Sequence, residues 1–544
     1  MMNALRETGA MVDDNIVQAG DETEQKNKKQ WGFDLTRRKM MILGGSLAGA
    51  AGLGSVGSTG VEAQTIVDVP ENEHLWPNPE DPHELSVSRE QRENSLARHV
   101  NLVCSAVFMM DREVEEFFKN DLVDYRNQWF RWEDVDVEVD EEQETVTFVA
   151  PPDPPRTAAY KEGHGSSILP PGAREVSYEP VDVSPEPDED QPWPMGDNDA
   201  VADSPEVDTD AISDTLEWAF ETNQPETEYN RPHADYDSDR VTTRPDTRAI
   251  VVLHDGEIVG EKYDEEGGVD KEKVHVNWSM GKSLAPTLIG LLVHDGEFDI
   301  DDPAPIDEWQ GDNDPRQEIT ISNIARMSSG LRFNRAADED NIIYPTRNDD
   351  HSRAYFEAID AYEYAANQFL EHEPGTVWAY RNVNPMLLGK IVRDTVEERG
   401  DNFLAYPQRA LFDRIGCRNM IIQPDHFGNF IIQGYVYGSA RDWARFGQLY
   451  LQDGYWQGER ILPQGWADYV STPAPADPDD GYGAMFWVNR GGAMEDVPED
   501  AYWASGARDN WCVIIPSRDI VIVRLGRYAE YSQNELVRRI LDSC

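Results

Sequence analysis

The sequence predicts an α+β fold: one antiparallel sheet built from both ends of a large C-terminal domain, flanked by helices, with a helical region inserted between the ends. Two strand pairs and the spacing of apolar residues between them predict it. Near one end, 248–253 and 258–263 are strand-like runs around His254-Asp255-Gly256-Glu257, and Asp-Gly suits a two-residue hairpin turn. Near the other, 511–515 and 520–525 are β-branched runs joined through Pro516-Ser517-Arg518-Asp519. Between them, 284–293, 362–370, 386–396 and 440–451 carry apolar residues three and four apart, the helical period. Ser532 and Glu535 then stand at capping-box spacing and predict a helix through Ile540. The domain so defined runs from 216 to 544.

Four segments precede it. Residues 36–63 hold Arg37-Arg38, a Gly/Ala-rich apolar stretch and the small residues before Ala63. This pattern predicts a twin-arginine signal over 1–63, cleavage near Ala63, a secreted product, and the twin-arginine export machinery as partner. The stretch is too rich in glycine for a stable membrane anchor. Residues 64–92 read as a polar linker. Over 93–175 the helical spacing of Leu96, Val100, Val103 and Val107, then the alternation through Val137, Val139, Val146 and Phe148, predict a small accessory α+β unit. Residues 176–215 read as a connector: 186–210 holds ten acidic and no basic residues, which predicts a solvated, extended chain.

The 544 residues carry 104 Asp and Glu against 48 Lys and Arg, a net charge of −56. Such a field repels nucleic acid and anionic lipid, and excludes both as partners. Lysine is scarce, 11 against 37 arginines, and carboxylate is spread along the whole chain, the pattern of a protein adapted to concentrated salt. The four cysteines, Cys104, Cys417, Cys512 and Cys544, form no CxxC pair, and their pairing is left open by the sequence. No HExxH or P-loop occurs, and the GxGxxG of Gly52 to Gly57 falls inside the signal segment with no strand before it. No metal or cofactor is expected.

Chemistry concentrates in three places. The first is Trp278-Ser279-Met280-Gly281-Lys282-Ser283, at the mouth of the first apolar helix. Residues three apart on a helix share a face, so the Lys282 amine reaches the Ser279 hydroxyl. In its neutral form that amine can take the serine proton and create a nucleophile, and helix N-terminal N–H groups stand where an oxyanion forms. Among the seven lysines after residue 63, Lys282 alone has a serine three residues upstream. Pro286, seven residues after Ser279, predicts a kink in this helix. The second place is Pro374-Gly375 leading to Tyr380-Arg381-Asn382, which offers a phenol as general acid and an amide to the same cleft. In the third, Ala504-Ser505-Gly506, small residues let a substrate lie along a strand edge, with the Ala507 N–H as a second oxyanion donor.

In this order, Ser-x-x-Lys, Tyr-x-Asn and a small-residue triplet before the last strands resemble the serine β-lactamase and penicillin-binding-protein superfamily. Within it the chain looks most like the class C-like serine hydrolases of the 6-aminohexanoate-dimer hydrolase branch. Trp193-Pro194-Met195-Gly196-Asp197 and Cys104-Ser105-Ala106-Val107-Phe108 are similar to segments of that branch. The resemblance implies a β-lactamase-like fold, Ser279 as acylated nucleophile, Lys282 as proton acceptor and Tyr380 as proton relay. It implies an oxyanion hole from the Ser279 and Ala507 N–H groups, and substrate contacts at Asn382, Ala504, Ser505 and Gly506. One departure stands out. Where β-lactamases and peptidases of the superfamily carry Lys-Thr-Gly, this chain has Ala504-Ser505-Gly506, with no cation to hold a substrate carboxylate. The expected substrate is a small linear amide or ester. A β-lactam or a D-alanyl-D-alanine peptide is the alternative, and a binding module on the same fold a second one.

Overall fold

The computed structural model describes residues 89–544 apart from 123–131, 133–134, 187, 189, 199–200, 203–206, 222–245, 335–349, 528 and 530. The export signal and most of the linker expected over 1–92 lie outside the described residues. Those described fall in one compact unit, Trp76–Cys544.

Helix α1 (Arg89–Phe108) lies across a four-stranded antiparallel sheet of β1 (Asp136–Asp140), β2 (Thr145–Val149), β3 (Arg156–Lys161) and β4 (Gly165–Ile168), in that order. Leu96, Val100 and Val103 on one face of α1, with Val146 and Phe148 of β2, make its core, as their periodicity predicts. Val139, on the edge strand β1, is exposed instead. This sheet shares its apolar core with the rest of the chain. Asn101 donates to Gln423 Oε1 (3.2 Å), and Gln423 donates back to Ser105 Oγ (2.6 Å), both buried.

The acidic connector departs from expectation. Part of it is packed rather than solvated: Trp193 and Val207 are buried, and the Asp197 carboxylate pairs with Arg418, Arg441 and Arg445. Arg445 also donates to the Pro194 and Gly196 carbonyls, and its guanidinium lies 4.5 Å from the Trp193 ring centroid. Local charge counting misses this because the counter-ions come from more than 200 residues away in the chain.

After helix α2 (Thr209–Glu221), the main sheet starts with β5 (Thr247–His254) and β6 (Glu257–Tyr263). Asp255 and Gly256 turn between them with φ of 52° and 85°, the left-handed pair that a type I′ hairpin needs. A two-residue strand β7 (His275–Val276) leads to a 3₁₀ turn (Trp278–Ser283) and helix α3 (Leu284–Asp295). The inserted region follows, including α4 (Asp350–Phe356), α5 (Ala361–Ala366), α6 (Val383–Glu398), β8 (Ile421–Ile422), β9 (Val436–Gly438) and α7 (Ala440–Leu451). The chain then returns to the sheet through β10 (Trp487–Val488), β11 (Tyr502–Gly506), β12 (Asn510–Ile515) and β13 (Ile520–Gly526), and ends on α8 (Gln533–Leu541). The sheet order is β10-β11-β12-β13-β5-β6, all antiparallel, so the two ends of the domain meet at β13 and β5 as expected.

Three local expectations need correction. Pro286 does not kink a long helix, because the segment before Leu284 is 3₁₀ and Pro286 sits in the first turn of α3, where its missing N–H is not needed. The helix expected over 362–370 ends at Ala366, where Arg316 takes the Ala366 and Gln368 carbonyls and Leu370 bridges to Leu331. At α8 half of the capping box forms: Ser532 Oγ accepts from the Glu535 N–H (3.1 Å), while the Glu535 carboxylate turns to Arg538 and Arg539. All four cysteines are unpaired.

Candidate active site

Ser279 owes its place to a strand ending beside the sheet. β7 pairs with β9 through His275 opposite Gly438 and Val276 opposite Tyr437, and the Asn277 N–H adds a bond to Val436 O at 2.8 Å. Trp278 then reverses the backbone at φ 51°, a region that costs a bulky residue about 1–3 kcal/mol. That strain sits one residue before Ser279. The 3₁₀ turn following has three residues per turn, so Ser279 and Lys282 eclipse each other more closely than on an α-helix. Lys282 Nζ donates to Ser279 Oγ at 3.0 Å and to the Gln433 carbonyl at 2.7 Å. Lys282 is 1% exposed, whereas Ser279 is half-buried and reachable. Gly281 permits this packing, since a Cβ there would collide with Val436 and the Ile432 carbonyl.

Tyr380 reaches the same place from a loop whose backbone runs beside 327–328: Gly375 N–H bonds to Ser328 O (2.8 Å) and Ala379 N–H to Met327 O (2.9 Å). Its ring centroid lies 4.9 Å from Lys282 Nζ. Trp487 stacks on it at 5.6 Å and Tyr482 meets it edge-on at 5.8 Å. Burial, then the neighbouring Tyr380, pushes the Tyr482 phenol well above its usual range, so Tyr482 acts as a neutral wall. Asn382, two residues on, is the N-cap position of α6, 1% exposed, and its Nδ2 contacts His351 Nδ1 at 2.7 Å.

The third group closes the site from the sheet. β10 pairs only with Tyr502 and Trp503, so the outer edge of β11 from Ala504 to Gly506 is left uncovered by a strand. Ala504 and Gly506 are buried, Ser505 is half-buried and Ala507 is exposed. A Cβ at Gly506 would strike the Asn277 carbonyl, so only glycine lets β11 approach the turn that carries Ser279. Arg508 and Asp509, at φ 68° and 60°, turn the chain back into β12, with Asn510 Nδ2 holding the Ala507 carbonyl at 2.6 Å.

The structure thus joins Lys282 to Ser279 by a hydrogen bond, sets the Tyr380 ring over Lys282 and β11 beside the turn that carries Ser279, and holds Asn382 at the foot of the tyrosine loop. Sequence reasoning missed Gln433, whose carbonyl anchors Lys282, and the walls Tyr482 and Trp487; none carries a motif. It missed His351 for the same reason. His275, just upstream, is buried against Arg248; burial and then that arginine push its imidazole down to about 3, so it stays neutral. Among the described residues no cluster of three His, Cys, Asp or Glu is placed to hold a metal.

The Beta-lactamase family profile matches residues 246–540, more than half of the chain. The chain belongs to the Beta-lactamase family. Its α+β fold is that of the family, and β5 through α8 is the matched region. A curated relative, the 6-aminohexanoate-dimer hydrolase of Paenarthrobacter ureafaciens, is 26% identical over 278 residues, covering 49% of this chain and 64% of the relative. The match thus spans under two thirds of that relative's length. Similar solved structures include a penicillin-binding protein homologue from Caulobacter crescentus (13% identity, TM-score 0.45, 62% of this chain and 97% of that one). Another is a class C β-lactamase (14% identity, TM-score 0.42, 63% and 99%).

Proposed function

We propose that this member of the Beta-lactamase family is an exported, salt-adapted serine hydrolase that cleaves a linear amide or ester through an acyl-enzyme on Ser279. The observation that carries the reading is the 3.0 Å bond between the buried Lys282 amine and the reachable Ser279 hydroxyl. A lysine buried against a serine and a carbonyl is costly for packing alone and suited to moving a proton.

The steps follow from the geometry. Ser279 Oγ attacks the substrate carbonyl carbon while its proton passes to neutral Lys282. The carbonyl oxygen, now an oxyanion, takes the N–H groups of Ser279 and Ala507. The bond to the leaving nitrogen or oxygen breaks, and that atom receives the proton through Tyr380 from Lys282. Water then attacks the acyl-enzyme, gives a proton to the same relay, and releases the carboxylic acid with Ser279 restored. Asn382 and the open edge at Ala504, Ser505 and Gly506 hold the substrate chain. No cofactor enters these steps. Likeness to 6-aminohexanoate-dimer hydrolase supports a linear amide. The absence of a cation in Ala504-Ser505-Gly506 and the charge of −56 disfavour the carboxylate of a β-lactam or wall peptide. Export through the twin-arginine machinery rests on residues 36–63, and salt adaptation on the acidic, lysine-poor composition.

A panel tests the substrate class: short linear amides and esters against a penicillin and a D-alanyl-D-alanine peptide, in multimolar KCl. Turnover of the linear compounds is expected, at kcat/KM at least tenfold above the anionic ones. Preference for the β-lactam or the peptide would reverse the assignment. A folded protein that is labelled on Ser279 but turns over none of them would favour the binding-module reading.

A further inference from the structure

The turn that follows Ala507 is strained and held from several sides. Arg508 and Asp509 adopt left-handed φ in succession, 68° and 60°. Aspartate tolerates that region, whereas an arginine stays in it only where neighbouring groups compel it. From β13, Arg524 Nη1 donates to the Arg508 and Asp509 carbonyls at 3.1 and 3.0 Å. Asp509 Oδ2 accepts from the Ala529 N–H at 3.0 Å, and Asn510 Oδ1 from the Gly526 N–H at 3.0 Å. All of these contacts lie within the C-terminal domain. The buried Arg508 side chain reaches the accessory unit instead: Nη2 donates to the Asp121 carbonyl at 2.6 Å, and Nη1 stands 4.0 Å from Asp121 Oδ1.

Asp121 lies in a π-helical turn (Phe118–Leu122) whose Phe118 ring meets that of Phe148 in β2 at 6.2 Å. Its buried carboxylate also pairs with Arg112 at 2.7 Å and with Arg248 of β5 at 2.9 Å. Burial alone would raise this carboxyl, but Arg248, then Arg112, Arg527 and Arg508, hold it well below the usual carboxylate range. Asp121, Arg248, Arg508, His275 and Trp278 line one small cavity. The cluster therefore touches both the residue after Ala507 and the strained residue before Ser279.

We propose that Arg508 is a positioning residue: anchored on Asp121 of the accessory unit, it fixes the turn that presents the Ala507 N–H to the oxyanion. Ala507 is exposed, and its methyl group offers little to hold it in place. Its position is set by its neighbours, Gly506 through pairing with Asn510 across the hairpin and Arg508 through Asp121. A donor in an oxyanion hole works because it is in place before the charge develops, and a displacement of about 1 Å costs on the order of 10²-fold in rate. The accessory unit thereby serves the chemistry without supplying a group that touches substrate. The inference rests on the acyl-enzyme reading for the oxyanion and on contacts in the resting protein for the anchor.

The test uses the full chain in multimolar KCl and a linear substrate of the parent, with a urea midpoint for each variant. Arg508→Gly meets a φ of 68° without strain and lacks the guanidinium, so it separates the anchor from the backbone shape. It is expected to lower kcat about 10²-fold with KM little changed, and to slow fluorophosphonate labelling of Ser279 to a like degree. Asp121→Asn is expected to lower kcat in the parent and to add nothing to Arg508→Gly. Asp153→Asn, which breaks the 2.8 Å pair with Arg92 of α1 in the same accessory unit, is expected to cost stability and leave kcat unchanged. If Arg508→Gly does not fold, Arg508→Lys, which keeps the charge without the fork, is read in its place. Parental kcat and labelling in the Arg508 variant overturn the proposal, as do additive losses with Asp121→Asn or an equal loss in Asp153→Asn. In each of those cases the parent's own turnover leaves the acyl-enzyme reading standing. A folded parent that takes no label and turns over nothing defeats that reading, and the positioning role with it.

Discussion

Lys282→Met is expected to lower kcat/KM by a factor on the order of 10⁴–10⁶, close to the loss from removing the serine itself, because the two groups act as one unit. Methionine fills much the same space, so the 3₁₀ turn and its packing on Val436 are expected to survive. What disappears is the amine that bridges Ser279 Oγ and the Gln433 carbonyl. With no proton acceptor at 3.0 Å, the serine stays a hydroxyl and attack on the carbonyl becomes the slow step. The loss is expected mainly in kcat, with KM little changed, because Lys282 acts as the transition state forms rather than in holding the substrate chain. Steady-state kinetics on a substrate of the parent reads both. A loss below tenfold would show that another group takes the proton.

Asp197→Asn is expected to destabilise the fold by about 3–5 kcal/mol, the cost of removing one partner from a buried ion cluster. Its carboxylate meets Arg418, Arg441 and Arg445 where all four side chains are at most 10% exposed. Asparagine keeps the shape and leaves Arg441 with Glu261 and Arg445 with Asp442, while Arg418 loses the carboxylate it pairs with. Although burial alone would raise the Asp197 carboxyl, Arg445 and then Arg418 and Arg441 outweigh it and hold it down at about 2. A depressed carboxyl stabilises the folded state above its unfolded value near 4 and loses that contribution as pH falls toward 2. The gap between parent and variant in urea midpoint is therefore expected to be full at pH 7 and to narrow below pH 4. A gap as wide at pH 2.5 as at pH 7 would mean that the loss comes from packing of the 193–197 segment and not from the charge.

These two residues mark what the sequence discloses and what it hides. Lys282 is legible because its partner lies three positions away, and any helical turn brings them together. The Asp255-Gly256 hairpin is legible for the same reason, since a two-residue turn is a local matter of φ. The meeting of β13 with β5 is less local, but strongly strand-like runs at both ends of one domain leave few other ways to satisfy their backbone groups. Asp197 is the opposite case. In the chain it sits in an acidic run, and resemblance marks its segment without naming a partner; its arginines lie on α7 and just before β8. Pro286 misleads because the period does not distinguish a 3₁₀ turn from the start of an α-helix. The contact of His351 with Asn382 is silent, since it depends on α4 packing against the entrance of α6 and no spacing encodes it.

An intact mass spectrum of the folded protein in multimolar KCl after exposure to a fluorophosphonate, with Ser279→Ala treated in parallel, is the most direct test of an activated serine. One covalent adduct on the parent and none on the variant is the predicted result. An adduct that persists in the variant, or a folded parent that takes none, would contradict an acyl-enzyme on Ser279.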